Sequence, residues 1–519
     1  MKAYLLHCNR DFNMRRASVW NEAALMQDLA LETLYRAMAQ DDAFLYEVAK
    51  QVVPVSLTEL DEIRYRQAVL ADCIEHEDAV RQLYAIAMEA LETERHTFHS
   101  IFASSPAMVL HGARELVQAF LGVLHRLRAA ADADAGSFRS EGFRRFFATI
   151  EHELTDEYFR QIERCLKELR FRNGVLISAR LGDGNKGILH VLRRPHEPAP
   201  NPLRRLFAKR APALTFRIAD RDEAGARALS ELEARGVRLV ANALSQSADH
   251  ILSFFSMLRA ELAFYIGCLN LRHELERRGV PMCFPVPHPA SERIHAMEGL
   301  CDASLALRLA AAPVGNDVKA GGKTLVVITG ANEGGKSTFL RGVGLAQLMM
   351  QAGMFVTAAS FAANVCDGIF THYKREEDAT MKGGKLDEEL RRMSEIVDHV
   401  RENALFLSNE SFAATNEREG AEIARQIVSA LLQKRVKIVL VSHLYALAGE
   451  LHAQRSPAML FLRADRQADG TRTFKLIEAE PLQTSYGEDL YKRIFVKPAS
   501  AAEAGAEAAI AQRASSGFE

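Results

Sequence analysis

One stretch of the chain has the residue types and spacing of a phosphate-binding loop. It consists of Gly330, Ala331, Asn332, Glu333, Gly334, Gly335, Lys336 and Ser337. This stretch fits the pattern G-x-x-x-x-G-K-[ST] in full. Glycines let backbone N–H groups approach phosphates closely, and a helix N-terminus adds partial positive charge. Lys336 can then reach the β- and γ-phosphates, Ser337 can bind Mg²⁺, and Thr338 adds a further cofactor contact. The sequence predicts an ATP and Mg²⁺ site.

The residues on either side supply the elements that such a loop needs. Leu325–Thr329 is a short apolar run typical of a buried strand, and apolar residues recur at helical spacing from Phe339 to Met349. The alternative is a chance match on an ordinary turn. A strand before the loop and a helix after it favour the phosphate-binding interpretation.

Two later strands can bring further chemistry to the same edge of the sheet. Ala404–Glu410 ends in an acidic residue, and Glu410 is a candidate general base. Asn409 lies where an aspartate normally supports the metal, and its amide oxygen lacks that charge. Lys437–Ser442 predicts a third strand that leads to His443, a candidate γ-phosphate sensor. The alternatives are a helix-start carboxylate for Glu410 and a structural histidine for His443.

Composition is that of an ordinary globular protein. The chain has 519 residues, a net charge of −2, 48% hydrophobic residues and 25% charged residues. The length predicts two to four domains, and a basic surface must be local. Seven scattered cysteines without a C-x-x-C pair argue against a zinc or disulfide framework and fit a reducing cytoplasm. Neither a signal peptide nor a membrane span is predicted.

Helices are predicted through most of the first 280 residues. Glycine is sparse in residues 1–172, and apolar residues recur at intervals of three and four residues. The predicted helices are Asn21–Met38, Asp61–Cys73, Asp78–Phe102, Met108–Ala131, Phe143–Phe171 and Ser245–Arg278. Their lengths suit long packed rods. The proline-rich stretch Pro281–Ala290 predicts a linker.

A β-hairpin followed by a basic, proline-rich stretch interrupts the helices. Val175–Leu181 and Ile188–Leu192 flank a glycine-rich turn. The basic residues that follow are candidate DNA contacts: Arg193, Arg194, Arg204, Arg205, Lys209 and Arg210. The alternative is a solvated linker without a partner.

The order of these motifs resembles the MutS family of mismatch-repair ATPases. Besides the phosphate-binding loop, the matching pieces are Ile63–Gln67, Val314–Asp317, Val356–Ala358, Asp367–Thr371, Asn409–Gly420, Ser442–His443 and Thr484–Gly487. The resemblance covers the region from about Gly299 to Ile494 and, more weakly, the helices before it. It implies that Asn316 lies on the adenine side of the nucleotide.

The resemblance also implies an architecture. It implies an all-α core and lever region with a small β insertion, followed by an α/β P-loop ATPase domain of ABC type. Two such heads would form a homodimer around ATP and drive levers that grip DNA, in repair or recombination. The implied domains are a helical core (1–172), a clamp-like insertion (173–220), levers and linker (221–290), the ATPase (291–497) and a disordered tail (498–519).

Three departures leave alternatives open. The chain starts almost at the helical core, so the mismatch-reading domain is expected to be missing. Gly383–Leu390 lacks the hydroxyl residues that face the partner's ATP in the family, and Lys385 is a candidate replacement. Asn409 suggests a second hypothesis, an ATP-gated binding protein with little hydrolysis. A third hypothesis is that the chain is an unrelated ABC-type head. The absence of an L-S-G-G-Q-like signature argues against it.

Overall fold

The protein is described here by a computed structural model. It describes residues 1–15, 19–97, 105–172, 174–194, 214–375, 384–467 and 470–482. The chain forms two compact units, each built from two separate stretches. The first comprises Met1–Phe12 and Asp72–Ala263, and the second comprises Asn13–Ala71 and Phe264–Glu519. The five-part division from the sequence is a finer one and stays a prediction.

The described residues form helices and strands in a fixed chain order. The helices are α1 (Glu22–Asp28), α2 (Leu31–Ala39), α3 (Ala43–Val52), α4 (Leu60–Glu75), α5 (Glu77–Thr97), α6 (Pro106–Asp134), α7 (Glu141–Glu153), α8 (Asp156–Glu168), α9 (Glu223–Glu276), α10 (Ala303–Arg308), α11 (Lys336–Gln351), α12 (Lys385–His399), α13 (Glu417–Gln433) and α14 (Tyr445–Ala453). The strands are β1 (Leu176–Leu181), β2 (Gly187–Arg193), β3 (Val286–His288), β4 (His295–Leu300), β5 (Asn316–Lys319), β6 (Leu325–Gly330), β7 (Ser360–Asn364), β8 (Ile369–Tyr373), β9 (Leu405–Asn409), β10 (Lys437–Val441), β11 (Met459–Arg466) and β12 (Arg472–Glu478).

The first unit is helical, as its sequence periodicity predicts. Its helix breaks are set by capping residues. Thr155 is extended and its hydroxyl accepts a hydrogen bond from the N–H of Tyr158 over 3.2 Å, which starts α8. The single predicted helix Phe143–Phe171 is therefore wrong, since it is divided into α7 and α8. A cap of this kind contributes about 1 kcal/mol, enough to fix where a helix begins.

The predicted hairpin is confirmed. β1 and β2 pair antiparallel, with Leu176 opposite Arg193 and Leu181 opposite Gly187. Gly184 in the turn has a φ of 68°, a conformation that favours glycine. Arg204, Arg205, Lys209 and Arg210 lie outside the described residues, as do the segment Thr484–Gly487 and the predicted tail.

The second unit is built on a six-stranded sheet with the order β12-β11-β6-β10-β9-β8. Strands β8, β9, β10, β6 and β11 are parallel, and β12 runs antiparallel at the edge. All six residues of β6 are buried, as expected for a parallel strand covered on both faces. Because these strands share a direction, the residues after their carboxyl ends meet at one edge of the sheet.

A second sheet of four strands has the order β3-β7-β4-β5. Strand β3 lies within the predicted linker Pro281–Ala290 and pairs in parallel with β7. The linker prediction is therefore wrong for this stretch, because backbone hydrogen bonds tie it into a sheet.

Helices near the N-terminus pack into the second unit. The predicted helix Asn21–Met38 is wrong in one respect, since it is divided into α1 and α2. Ala30 has a φ of 52°, which interrupts the helix, and its carbonyl oxygen accepts a hydrogen bond from the Ser304 hydroxyl over 3.1 Å. The side-chain amide of Asn21 donates to the Ile369 carbonyl over 2.7 Å. These bonds fix the short helices against the α/β fold.

Two described helices, α6 and α9, are long and apolar enough by composition to cross a membrane. The most apolar window of α6 is 50% buried inside the protein and that of α9 is 72% buried. Core helices pass the same test, so this is weak evidence for a membrane span.

Candidate functional site

The glycine-rich loop connects the end of β6 to the start of α11, as the sequence predicts. Gly330 has a φ of 106°, and a Cβ there would lie 2.9 Å from the backbone nitrogen of Ala464. A Cβ at Gly334 would lie 2.7 Å from the Cβ of Ala464. Strand β11 therefore packs so closely on the loop that only glycine fits at these two positions.

Lys336 is the first residue of α11 and is buried. Its Nζ donates hydrogen bonds to the carbonyl oxygens of Gly330 over 3.0 Å and Ala331 over 2.8 Å. Burial lowers the pKa of Lys336 to about 8, and nearby Glu410 opposes this shift. The amine is thus held within the loop, close to the N-terminus of a helix that favours anions.

Ser337 and Asn409 meet at the edge of the sheet. The Ser337 hydroxyl donates to Oδ1 of Asn409 over 2.8 Å. Asn409 is the last residue of β9, so the helix after the loop and the neighbouring strands bring the two predicted metal ligands together. Both offer neutral oxygen atoms, which suit Mg²⁺, although neither carries charge. Among the described residues, no group of three or more His, Cys, Asp or Glu side chains could hold a metal ion.

Glu410 and His443 also lie together. In the register of β9 and β10, Asn409 pairs with Val441, so the residues that follow each strand are neighbours. Nε2 of His443 lies 2.9 Å from Oε1 of Glu410. This hydrogen bond holds the pKa of Glu410 below its ordinary value, against the opposing effect of burial. The carboxylate is therefore ionised and oriented at neutral pH.

A cavity of about 430 Å³ adjoins the loop. Its lining includes Asn316, Glu333, Gly335 and Thr338, four residues predicted to bind the cofactor, together with Phe474. Asn316 is buried, its amide donates to the Phe474 carbonyl over 3.2 Å, and its Oδ1 accepts from the N–H of Leu476. The cavity has the mostly apolar lining and the volume of a small-molecule site.

Two residues of this region escaped the sequence analysis. Phe474, a residue that is 48% exposed, lines the cavity, and Arg472 donates through Nε to the Asn332 carbonyl over 3.2 Å. Both belong to β12, which lies more than 130 residues after the loop in the chain. The sequence of β12 does not indicate which elements the strand contacts, so the proximity of Phe474 and Arg472 to the loop is known only from the strand order of the sheet.

The predicted DNA contacts that the structure describes lie at the end of the hairpin. Arg193 donates through Nε to the Ser178 hydroxyl over 2.8 Å, and Arg194 forms an ion pair of 3.0 Å with Glu168. Both side chains are largely exposed. Each guanidinium group therefore already has a partner within the protein.

These features define a protein with a helical region and an α/β domain of mixed sheets, whose glycine-rich loop, polar strand ends and cavity converge. A family model described as the MutS2 N-terminal domain matches residues 58–278, and one described as MutS domain V matches residues 326–509. The chain belongs to the MutS family, as the resemblance in its motifs predicts.

Relatives share part of their length with the chain. The DNA mismatch repair protein MutS of Thermus aquaticus is 32% identical over 170 residues, 32% of this chain and 20% of that protein. Endonuclease MutS2 of Thermus thermophilus is 29% identical over 144 residues, 28% of this chain and 19% of that protein. The MutS protein of Thermotoga sp. is 36% identical over 121 residues, 23% of this chain and 15% of that protein. The matched region spans about a fifth or less of each relative.

Proposed function

We propose that the second unit binds and hydrolyses ATP, and that the chain acts as a DNA-linked ATPase of the MutS family. The observation that carries the proposal is the convergence of Lys336, Ser337, Asn409, Glu410 and His443 at the carboxyl ends of adjacent parallel strands. Phosphate binding and water activation need these groups within one site.

The phosphates would bind at the loop. The backbone N–H groups before α11 and the Lys336 amine supply positive charge, and the cavity beside Asn316 and Phe474 has room for the base. Ser337 and Asn409 would hold Mg²⁺, which supplies charge that stabilises the transferring phosphoryl group.

Glu410 is the candidate general base for hydrolysis. Its lowered pKa keeps it ionised, and the hydrogen bond from His443 orients its carboxylate. In this proposal Glu410 accepts a proton from the attacking water, while His443 positions Glu410 and senses the γ-phosphate. Such a base contributes about 10²–10⁴-fold to a rate.

The dimer and DNA parts of the proposal rest on the family. The relatives are DNA mismatch repair proteins and an endonuclease by name, and these names support DNA as the partner. We propose that a homodimer closes on ATP through its ATPase domains, opens after hydrolysis and transmits the change through helices to DNA. Arg193 and Arg194 are candidate phosphate contacts beside the hairpin, and the cytoplasm stays the predicted location.

One experiment tests the three parts of the proposal, which are ATP hydrolysis, dimer formation and DNA binding. ATP hydrolysis by the purified full chain is measured with and without duplex, branched and single-stranded DNA, alongside molecular mass with and without ATP. DNA binding at about 50 mM salt should weaken as salt rises. Absence of binding to every DNA would overturn the DNA part, and a monomer at saturating ATP would overturn the dimer.

Two variants separate the steps. Lys336→Ala should abolish nucleotide binding, whereas the exposed Lys434→Ala, which lies after α13 and away from the strand ends, should not. Glu410→Ala should bind ATP and remain dimeric, because hydrolysis normally opens the dimer. Unchanged dissociation would count against gated opening.

A second candidate function is an ATP-gated binding protein with little turnover. The neutral pair formed by Ser337 and Asn409 favours it, because a metal held without a carboxylate provides weaker electrostatic stabilisation of phosphoryl transfer. Turnover by the wild-type chain decides between the two functions.

A further inference from the structure

The loop that carries Glu410 has a backbone that its surroundings must hold in place. Glu410 has a φ of 54° and Phe412 a φ of 62°, both in the left-handed region that residues other than glycine rarely adopt. Phe412 is buried, and a Cβ at Gly420 would lie 2.4 Å from its carbonyl oxygen. Strained backbone of this kind persists where neighbouring contacts over-determine it.

His372 on the adjacent strand β8 supplies one such contact. In the register of β8 and β9, His372 pairs with Ser408, so its fully buried ring lies next to the start of the loop. Its Nδ1 is 2.6 Å from the Ser411 hydroxyl, which is also 2.9 Å from the His372 carbonyl oxygen. The hydroxyl groups of Ser408 and Ser411 are 2.8 Å apart. The Ser411 hydroxyl has one hydrogen to donate, and two of the acceptors within its reach, Nδ1 and the carbonyl oxygen, belong to His372.

The hydrogen-bond partners define the protonation of the ring. Nε2 of His372 lies 3.1 Å from the carbonyl oxygen of Glu389, which only accepts, so Nε2 carries the hydrogen. Burial, with Arg392 and Arg375 nearby, lowers the pKa of His372 to about 3. The ring is therefore neutral, and Nδ1 is an acceptor for Ser411.

Glu389 holds the other side of the loop. Its Oε2 accepts a hydrogen bond from the N–H of Phe412 over 2.9 Å. The Phe412 ring stacks on the His372 ring, with centroids 5.4 Å apart and planes 20° apart. Glu389 belongs to α12, so one helical residue is bonded both to the histidine and to the loop after Glu410.

We propose that His372, Ser411 and Glu389 form a positioning unit that fixes the Glu410 carboxylate in its orientation for ATP hydrolysis. This inference rests on the proposed function. None of the three is a candidate for contact with the nucleotide; each acts through the backbone of the loop. A displacement of α12 would be transmitted to the general base through Glu389.

The test separates turnover from binding in the full chain. Ser411→Ala removes the hydroxyl, and Glu389→Ala removes the acceptor for Phe412. Each should lower kcat by about tenfold or more, because small misplacement of a catalytic group costs about 10²-fold. The Kd for ATP, measured with a fluorescent ATP analogue, should stay within about twofold of wild type since the loop before α11 is untouched.

Conservative and control variants distinguish positioning from general stability. Glu389→Gln keeps an acceptor oxygen for Phe412 and should restore most of the kcat lost in Glu389→Ala. Thr371→Val changes the neighbouring buried residue of β8, on the other face of the strand, and should leave kcat unchanged. Equal loss of kcat and ATP affinity in Ser411→Ala, or no rescue by Glu389→Gln, would overturn the inference.

Glu410→Gln separates the two levels of the proposal. If wild type hydrolyses ATP and Glu410→Gln does not, the proposed function stands whatever the positioning variants do. If Ser411→Ala and Glu389→Ala then have the same kcat as wild type, the positioning inference is overturned and the proposed function is not. Absence of hydrolysis by wild type would overturn both.

Discussion

The Ser337 hydroxyl donates its hydrogen to Oδ1 of Asn409 across 2.8 Å, which joins the start of α11 to the end of β9. This bond brings together two oxygen atoms that we propose as Mg²⁺ ligands, and neither carries a negative charge. Mg²⁺ is bound in proteins mostly through carboxylates and phosphates. The missing charge at this position is therefore expected to lower the rate of ATP hydrolysis more than the affinity for nucleotide.

Asn409→Asp should raise ATP turnover, by about tenfold, because it adds charge beside the metal in an electrostatically sensitive position. Steady-state hydrolysis at saturating Mg²⁺ checks this. Asn242→Asp, the same chemical change on an exposed position of α9, is the matched control. If the wild-type chain hydrolyses ATP rapidly and Asn409→Asp does not change that rate, the low-turnover hypothesis is refuted.

Binding of ATP should weaken above pH 8. Burial lowers the pKa of Lys336 to about 8, so the free protein loses the charge that attracts phosphates as pH rises through that value. The affinity should fall by up to about tenfold per pH unit, and binding should take up a proton. Calorimetry in buffers of different ionisation enthalpy measures both.

Lys336→Arg provides the control for that pH effect, because a guanidinium group stays charged throughout this range. Its affinity for ATP is expected to be lower but without the slope between pH 8 and 9. A wild-type Kd that is constant from pH 7 to 9 would contradict the prediction.

His443→Ala should shift the acid limb of the hydrolysis profile to higher pH. The hydrogen bond from His443 is the main cause of the lowered pKa of Glu410. Its loss raises that pKa, so a larger fraction of the base is protonated at a given acidic pH. Rates of hydrolysis between pH 4 and 8 check this, and an unshifted acid limb would show that Glu410 is not the titrating base.

Stability of the first unit should fall as pH rises from about 4.5 to about 7. Burial raises the pKa of Glu261 to about 7, despite hydrogen bonds from the N–H groups of Leu5, Leu6 and Phe12. Between the unfolded and folded pKa values the folded state binds more protons, so ΔG of unfolding declines by roughly 2–4 kcal/mol.

Glu261→Gln should remove this decline. The variant is expected to match wild type near pH 4.5 and to exceed it above pH 7, when wild type buries a charge. Thermal unfolding of the full chain, with hydrogen exchange of the Leu5, Leu6 and Phe12 amides, reports the difference. Parallel pH dependence in the two proteins would exclude Glu261 as the titrating group.

Much of the site could be predicted from local sequence. The run Leu325–Thr329 becomes β6, and the glycine pattern places the loop before α11, because strand, turn and helix signals are adjacent in the chain. Glu410 and His443 follow buried strands, so their proximity follows once those strands are parallel neighbours.

Other features depend on contacts that local sequence does not record. The break between α1 and α2 is at Ala30, a good helix former whose left-handed conformation accompanies a hydrogen bond from Ser304, far along the chain. Phe474 and Arg472 reach the cavity and loop through the order of the sheet. The roles of the site residues, the dimer and the DNA contacts stay predictions.

The helices near the N-terminus have a practical consequence for anyone who produces the α/β part alone. A Cβ added at Gly344 of α11 would lie 2.7 Å from the Leu29 side chain, and the Asn21 amide donates to the carbonyl oxygen of Ile369 at the start of β8. A recombinant fragment trimmed to the domain V match would strip these covers and expose apolar surface, a cause of aggregation. A fragment meant to stay soluble should therefore keep residues 13–71 as well as strands β3, β4 and β5, which precede the match.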